Sequence, residues 1–255
     1  SRAFLGGLVG QLESAAKSQL TECWFDGTVI ATSSGNSAGF IGGLVGYADC
    51  SGEFGIVNCR NDANITCTKE VSPDDISGLG GPFGGIVGYV GGKRASIYIS
   101  SCMNTGNVVH YDGNFPPAGS CGGIVGNGGA ATISSCANTG KISGLLYVGG
   151  IAGDLSDSAM VQDCLNTGAV RINNAQYYGG GIAGGGGRFY RCLNTGMVTT
   201  PVVQGKAYNS GIVAKPGSST LEEAEAAVVD CYWLDDGQTN TLYSRYSYDF
   251  GETKA

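Results

Sequence analysis

The stretch ISSCANTG occupies residues 133–140, ISSCMNTG stands at 99–106, and CLNTG appears at 164–168 and again at 192–196. A cysteine, a spacer and Asn-Thr-Gly thus recur in a chain of 255 residues that holds ten cysteines in all. Upstream of each copy lies a glycine box: Gly6-Gly7-Leu8-Val9-Gly10, then 42–46, 84–88 and 122–126, then GGIAG at 149–153 and 180–184, and a worn SGIVA at 210–214. One cysteine follows each box, at Cys23, Cys59, Cys102, Cys136, Cys164, Cys192 and Cys231. The boxes step by 36, 42, 38, 27, 31 and 30 residues. Self-similarity of this kind marks a repeat protein.

Aligning the copies on the cysteine exposes columns. Three residues before it the chain is always apolar, from Leu20 and Ile56 to Phe189 and Val228. Six residues after it stand Val29, Ile65, Val108, Ile142, Val170 and Val198. Two residues after it are Asn104, Asn138, Asn166 and Asn194, with Asn61 as a fifth copy. The glycine four residues after it (Gly27, Gly106, Gly140, Gly168, Gly196) suits a left-handed turn.

Each unit reads as three short strands: the box, the stretch ending at cysteine, and the stretch after Asn-Thr-Gly. A 27-residue minimum repeat with three strands predicts an all-β chain, a parallel β-helix of about seven coils, right-handed by the crossover rule. Propeller blades, at about 40–45 residues, fit the shorter steps poorly. Residues 1–231 form the expected solenoid and 232–255 an aromatic C-terminal cap, or a link to another module. Thr220 with Glu223 makes a capping box, so a short helix is expected just before the last cysteine. The opening SRAFLGGLVG, with no basic leader and no cap before Phe4, suggests a piece of a longer or processed chain.

Composition agrees. There are 46 glycines against a usual level of about 7%, and 42% of residues are hydrophobic, so turns are frequent and a core is affordable. Net charge is −7 with no basic cluster, which argues against nucleic acid as a partner. No apolar run approaches the roughly 18 residues of a membrane span.

The boxes read GLVG at 7–10 and 43–46, GIVG at 85–88 and 123–126, and GIAG at 150–153 and 181–184. With the NTG strings and CYWLDDG at 231–237, they resemble the GLUG motif repeat over nearly all of residues 5–237. Such repeats occur in large secreted and cell-surface proteins of bacteria and in the non-catalytic region of IgA-cleaving metallopeptidases. The resemblance implies an extracellular adhesive or spacing module whose partners are host or cell-wall glycan or protein and other modules of the same chain. It supplies no catalytic residues.

The cysteines have several readings. Zinc is disfavoured because no C-x-x-C occurs and His110 is the single histidine. A nucleophile would need a neighbouring base. Disulfides along the column are disfavoured because coils stack at about 4.8 Å, beyond the roughly 3.8 Å between Cβ atoms that a disulfide prefers. A ladder of buried reduced thiols fits best. Cys50, Cys67 and Cys121 lie off the column, and any disulfide would involve these. The asparagines can form an amide ladder.

Aromatic residues two places before the box (Phe4, Phe40, Tyr147, Tyr178, Tyr208) either stack on one another or offer rings to sugars. Asp163, Arg191 and Asp230, each just before a ladder cysteine, form a charge column. Glu70, Asp74 and Asp75 in one insertion can neighbour His110, Tyr111 and Asp112 in the next. That patch is the candidate ligand site, and no cofactor is expected there beyond loosely bound calcium. Paired carboxylates there would instead suit a polysaccharide lyase or glycoside hydrolase.

Overall fold

A computed structural model describes residues 2–33, 38–69, 81–91, 97–110, 119–173, 177–201, 208–215, 217, 223, 226–234, 244–245 and 248–249. Within these the chain winds into seven coils, the first six built from five short strands and the seventh from four. The second coil comprises Ala38–Gly42, Val45–Cys50, Phe54–Val57, Arg60–Asn61 and Asn64–Lys69. Each strand pairs in parallel with its counterparts in the coils before and after, giving four sheets of seven strands and one of six. The register follows the sequence columns: Ile56 pairs with Ile99 and Ile99 with Ile133, while Asn61 pairs with Asn104 and Asn104 with Asn138. This is a parallel β-helix.

The count of three strands per coil needs correction. The box is a corner, not a strand: Gly42 ends one strand and Val45 begins the next. A Cβ on Gly42 would stand 2.0 Å from the Val45 carbonyl oxygen, so only glycine permits the bend. The cysteine is a second corner, between Phe54–Val57 and Arg60–Asn61 in the same coil.

The left-handed position is also not where the glycines suggest. It falls on the residue before each ladder cysteine, at Glu22, Asn58, Ser101, Ser135, Asp163, Arg191 and Asp230, with φ between 49° and 55°. None of these is glycine. The backbone there turns left-handed to bring the thiol inward, and each ladder cysteine donates to the carbonyl two residues earlier at 3.2–3.4 Å. The Asn-Thr-Gly glycines serve close approach instead. A Cβ on Gly140 would lie 2.0 Å from the Gly106 carbonyl oxygen of the previous coil, and one on Gly168 equally close to that of Gly140.

The interior is divided in two. The larger core holds the box residues Leu44, Ile86, Ile124, Ile151, Ile182 and Ile212 together with the cysteine ladder. The smaller one joins Ile41, Phe83 and Val148 of the first sheet to Ile65, Val108, Ile142, Val170 and Val198 of the fifth. Between them stands the asparagine ladder. Asn61, Asn104, Asn138 and Asn166 each donate through Nδ2 to the Oδ1 of the next asparagine at 2.7–2.8 Å, ending at Asn194. The same Nδ2 atoms, and that of Asn194, donate to the carbonyl two residues on at 2.8–2.9 Å. All five residues are buried, so these bonds offset the desolvation of the amides.

The ladder ends in aromatic rings. Phe25 pairs with Asn61 at one end and Trp233 with Asn194 at the other. Strand pairing therefore continues through Tyr232–Trp233. Glu223, Ala226 and Ala227 are helical, while Thr220 of the expected capping box lies outside the described residues. Ser244–Arg245 pairs antiparallel with Tyr248–Asp249, and its backbone runs beside Val213–Lys215 of the last coil.

Candidate binding face

The fourth sheet turns the outer side of the cysteine and asparagine corner to solvent. Its two-residue strands align Trp24, Arg60, Met103, Ala137, Leu165, Leu193 and Tyr232 in one outward lane. Trp24 is 63% exposed, Leu165 37%, Leu193 41% and Tyr232 56%. Beside this lane run Thr105, Thr139, Thr167 and Thr195, continued by Leu234 at 61% exposure. Val229 and Met197 flank it, both exposed. Seven of the ten large exposed hydrophobics among the described residues thus lie on or beside one face. Concentration of apolar surface marks an interaction site, whereas scattered apolar residues would not.

The ladder behind fixes this face. Thr139 and Thr167 donate their backbone N–H groups to the carbonyls of Asn104 and Asn138 at 2.9 Å, so each threonine is held in register by the asparagine column. At the first coils the indole Nε1–H of Trp24 donates to Asp62 at 2.8 Å. Arg60 Nε donates to the same carboxylate at 2.7 Å, and the Thr105 hydroxyl donates there too. Arg60 is the first cause holding Asp62 below the ordinary carboxylate value. Arg191 and Asp163 form a bidentate pair along one flank, at 2.7 and 2.8 Å.

Of the two readings of the aromatic column, the structure shows the rings stacking on one another. Tyr147 and Tyr178 stack at 5.5 Å with 9° between ring planes, and Tyr178 meets Tyr208 at 5.6 Å. A second column, missed in the sequence, comes from the strands after the box. Tyr47 stacks on Phe4 at 5.1 Å and Tyr89 on Phe40 at 4.7 Å. Its signal was the tyrosine directly after the box in GLVGY (43–47) and GIVGY (85–89). Lys215 closes the seam by donating to the Tyr147 hydroxyl at 2.9 Å.

Of the candidate ligand residues, Asp74, Asp75, Tyr111 and Asp112, with Glu70, lie outside the described residues. His110 is buried, with its ring edge-on to Phe83 at 4.5 Å, so its imidazole belongs to the smaller core. All ten cysteines are free, and all but the half-buried Cys23 are buried. Burial pushes Cys67 up to about 11 and Cys121 higher still. In the ladder, the hydrogen bond with the Cys164 thiol and then burial push Cys192 up to about 12. A thiolate at Cys102 or Cys164 would collect hydrogen bonds from both ladder neighbours, which favours ionisation there. A charge inside an apolar core is costly, so the buried ladder thiols from Cys59 to Cys192 stay neutral. Among the described residues, no group of three or more His, Cys, Asp or Glu side chains is placed to hold a metal ion.

A separate open groove of about 500 Å³ is lined by Asp157, Arg188 and Glu223 with Gly187 and Gly217.

No protein-family model, curated protein or solved structure matches the chain.

Proposed function

We propose that this chain is a non-enzymatic, extracellular β-helix module of a bacterial surface protein, which adheres through the face of the Asn-Thr-Gly corner and spaces other modules along its length. The observation that carries the binding role is the gathering of exposed apolar side chains, from Trp24 to Tyr232, on one regularly spaced face. The extracellular setting and the GLUG assignment rest on the resemblance carried by the box tetrapeptides, the NTG strings and CYWLDDG. Coating the protein on beads and measuring adhesion to host-cell and cell-wall glycans and proteins tests the reading. A Leu165→Asp/Leu193→Asp double variant should lose adhesion while keeping its fold. Full adhesion by that folded variant would remove the face from the function.

The second reading, a carbohydrate-active enzyme, draws on the groove in which Asp157 and Glu223 accompany Arg188. Two carboxylates on one cleft are the minimum for glycoside hydrolysis. Reducing-end release from polysaccharides that disappears in Glu223→Gln would favour it over adhesion.

A further inference from the structure

The two central lanes of the face differ in chemistry. One is apolar, with Met103, Ala137, Leu165 and Leu193, and the other is hydroxylic, with Thr105, Thr139, Thr167 and Thr195. Thr139, Thr167 and Thr195 are exposed. Strand geometry sets neighbours within a lane about 4.8 Å apart and the two lanes about 7 Å apart. From the third coil to the sixth neither lane carries a charge.

We infer that the occupant of this face is a neutral, linear glycan laid lengthwise along the rod, an assignment that rests on the binding function proposed above. A sugar ring joins apolar C–H surface to a rim of hydroxyls, and the two lanes offer apolar contact and hydroxyl partners side by side. Trp24 adds an exposed indole whose only donor is already engaged by Asp62, so what it presents to a ligand is apolar ring. Asp62 in turn accepts from Trp24, Arg60 and Thr105, which leaves that carboxylate no need of a cation. On the flank, Arg191 is committed to Asp163, which disfavours an acidic glycan. A second copy of the chain is a poorer occupant. Taken over all seven coils, from Trp24 to Tyr232, the face measures about 29 by 15 Å, or roughly 450 Å² a side, against about 800 Å² per partner in a standard interface. A repeating ligand, by contrast, gains by engaging successive coils at once.

The test uses the whole chain on an array of neutral and acidic oligosaccharides of graded length, followed by calorimetry on the hits. Neutral chains should bind, with affinity rising at least about tenfold from disaccharide to hexasaccharide as more coils are engaged. Leu193→Asp and the isosteric Thr167→Val should each weaken the hexasaccharide about fivefold or more, with the circular dichroism spectrum unchanged. Binding of acidic chains only, or affinity that does not grow with length, overturns this assignment and leaves adhesion standing. Capture of protein ligands with no glycan bound at any length overturns the assignment while leaving a protein-adhesive module. Retention of neither kind of ligand overturns both.

Discussion

Asn138 lies so close against Gly123 that a Cβ on that glycine would stand 2.4 Å from the carboxamide carbon. The same pairing joins Gly43 to Asn61, Gly85 to Asn104, Gly150 to Asn166 and Gly181 to Asn194. The box and the Asn-Thr-Gly string, distant in sequence, are therefore two sides of one contact. It pinches the second to sixth coils at the waist and separates the two cores there.

Gly123→Ala should be among the most damaging single methyl additions in the chain. Its Cβ would also meet the Gly150 carbonyl oxygen at 2.1 Å, and neither neighbour can withdraw without breaking a ladder bond. A loss of about 3 kcal/mol or more, read by urea denaturation, is expected. A loss under about 1 kcal/mol would show that the waist is soft.

Asn138→Ala strands the Asn104 donor, the Asn166 acceptor and the Gly140 carbonyl at the same time. Each buried orphan costs about 1–3 kcal/mol, so a loss of about 3–5 kcal/mol or more is expected from the three orphans and the lost packing. Asn138→Asp should be no better, because a carboxylate cannot donate to Asn166 Oδ1. Denaturation midpoints of the two variants, compared with wild type, check this directly.

Ser135 holds φ at 52° without being glycine. Ser135→Gly should relieve strain of about 1 kcal/mol, partly offset by the greater freedom of the unfolded chain. Ser135→Val should cost about 1–2 kcal/mol, since a β-branched side chain fits that region worst. Opposite shifts in melting temperature are the expected signature, and parallel shifts would contradict it.

Alkaline pH should destabilise the fold through the buried thiols. Cys67 ionises near 9.0 as a free group but only near 11 in the folded chain. Between these values the unfolded state sheds its proton while the folded state keeps it, so stability falls as pH rises from about 9 to about 11. Below 9 both states are protonated and this group contributes no slope. Maleimide labelling should follow the same logic, marking the half-buried Cys23 in the native protein and the buried thiols only after unfolding.

Coils, columns and ladders were legible because each interior position demands one residue type, and seven copies repeat the demand. Asn104, Asn138, Asn166 and Asn194 could be aligned by eye. The left-handed corner was not legible. Glu22, Asn58, Ser101, Ser135, Asp163, Arg191 and Asp230 share a backbone angle but no chemistry, since their side chains point to solvent and are free to vary. The conspicuous glycines at Gly106 and Gly140 serve close packing instead. The candidate binding face hid for a related reason. Met103, Ala137, Leu165 and Leu193 look like spacers between an inward cysteine and an inward asparagine, and only the register shows that they form a continuous lane.

All four amide-to-amide links in the asparagine ladder run in one direction, each Nδ2 toward the following coil. Their bond dipoles therefore add, and the rod has a head and a tail. Asn61 Oδ1 closes the chain of amides as a buried acceptor with no donor of its own. A coil duplicated within the gene would slot between two existing amides without leaving any donor or acceptor unmatched. It would lengthen the rod by about 4.8 Å and extend both lanes by one step. Reach can thus be tuned over generations by unequal recombination, with no redesign of the fold.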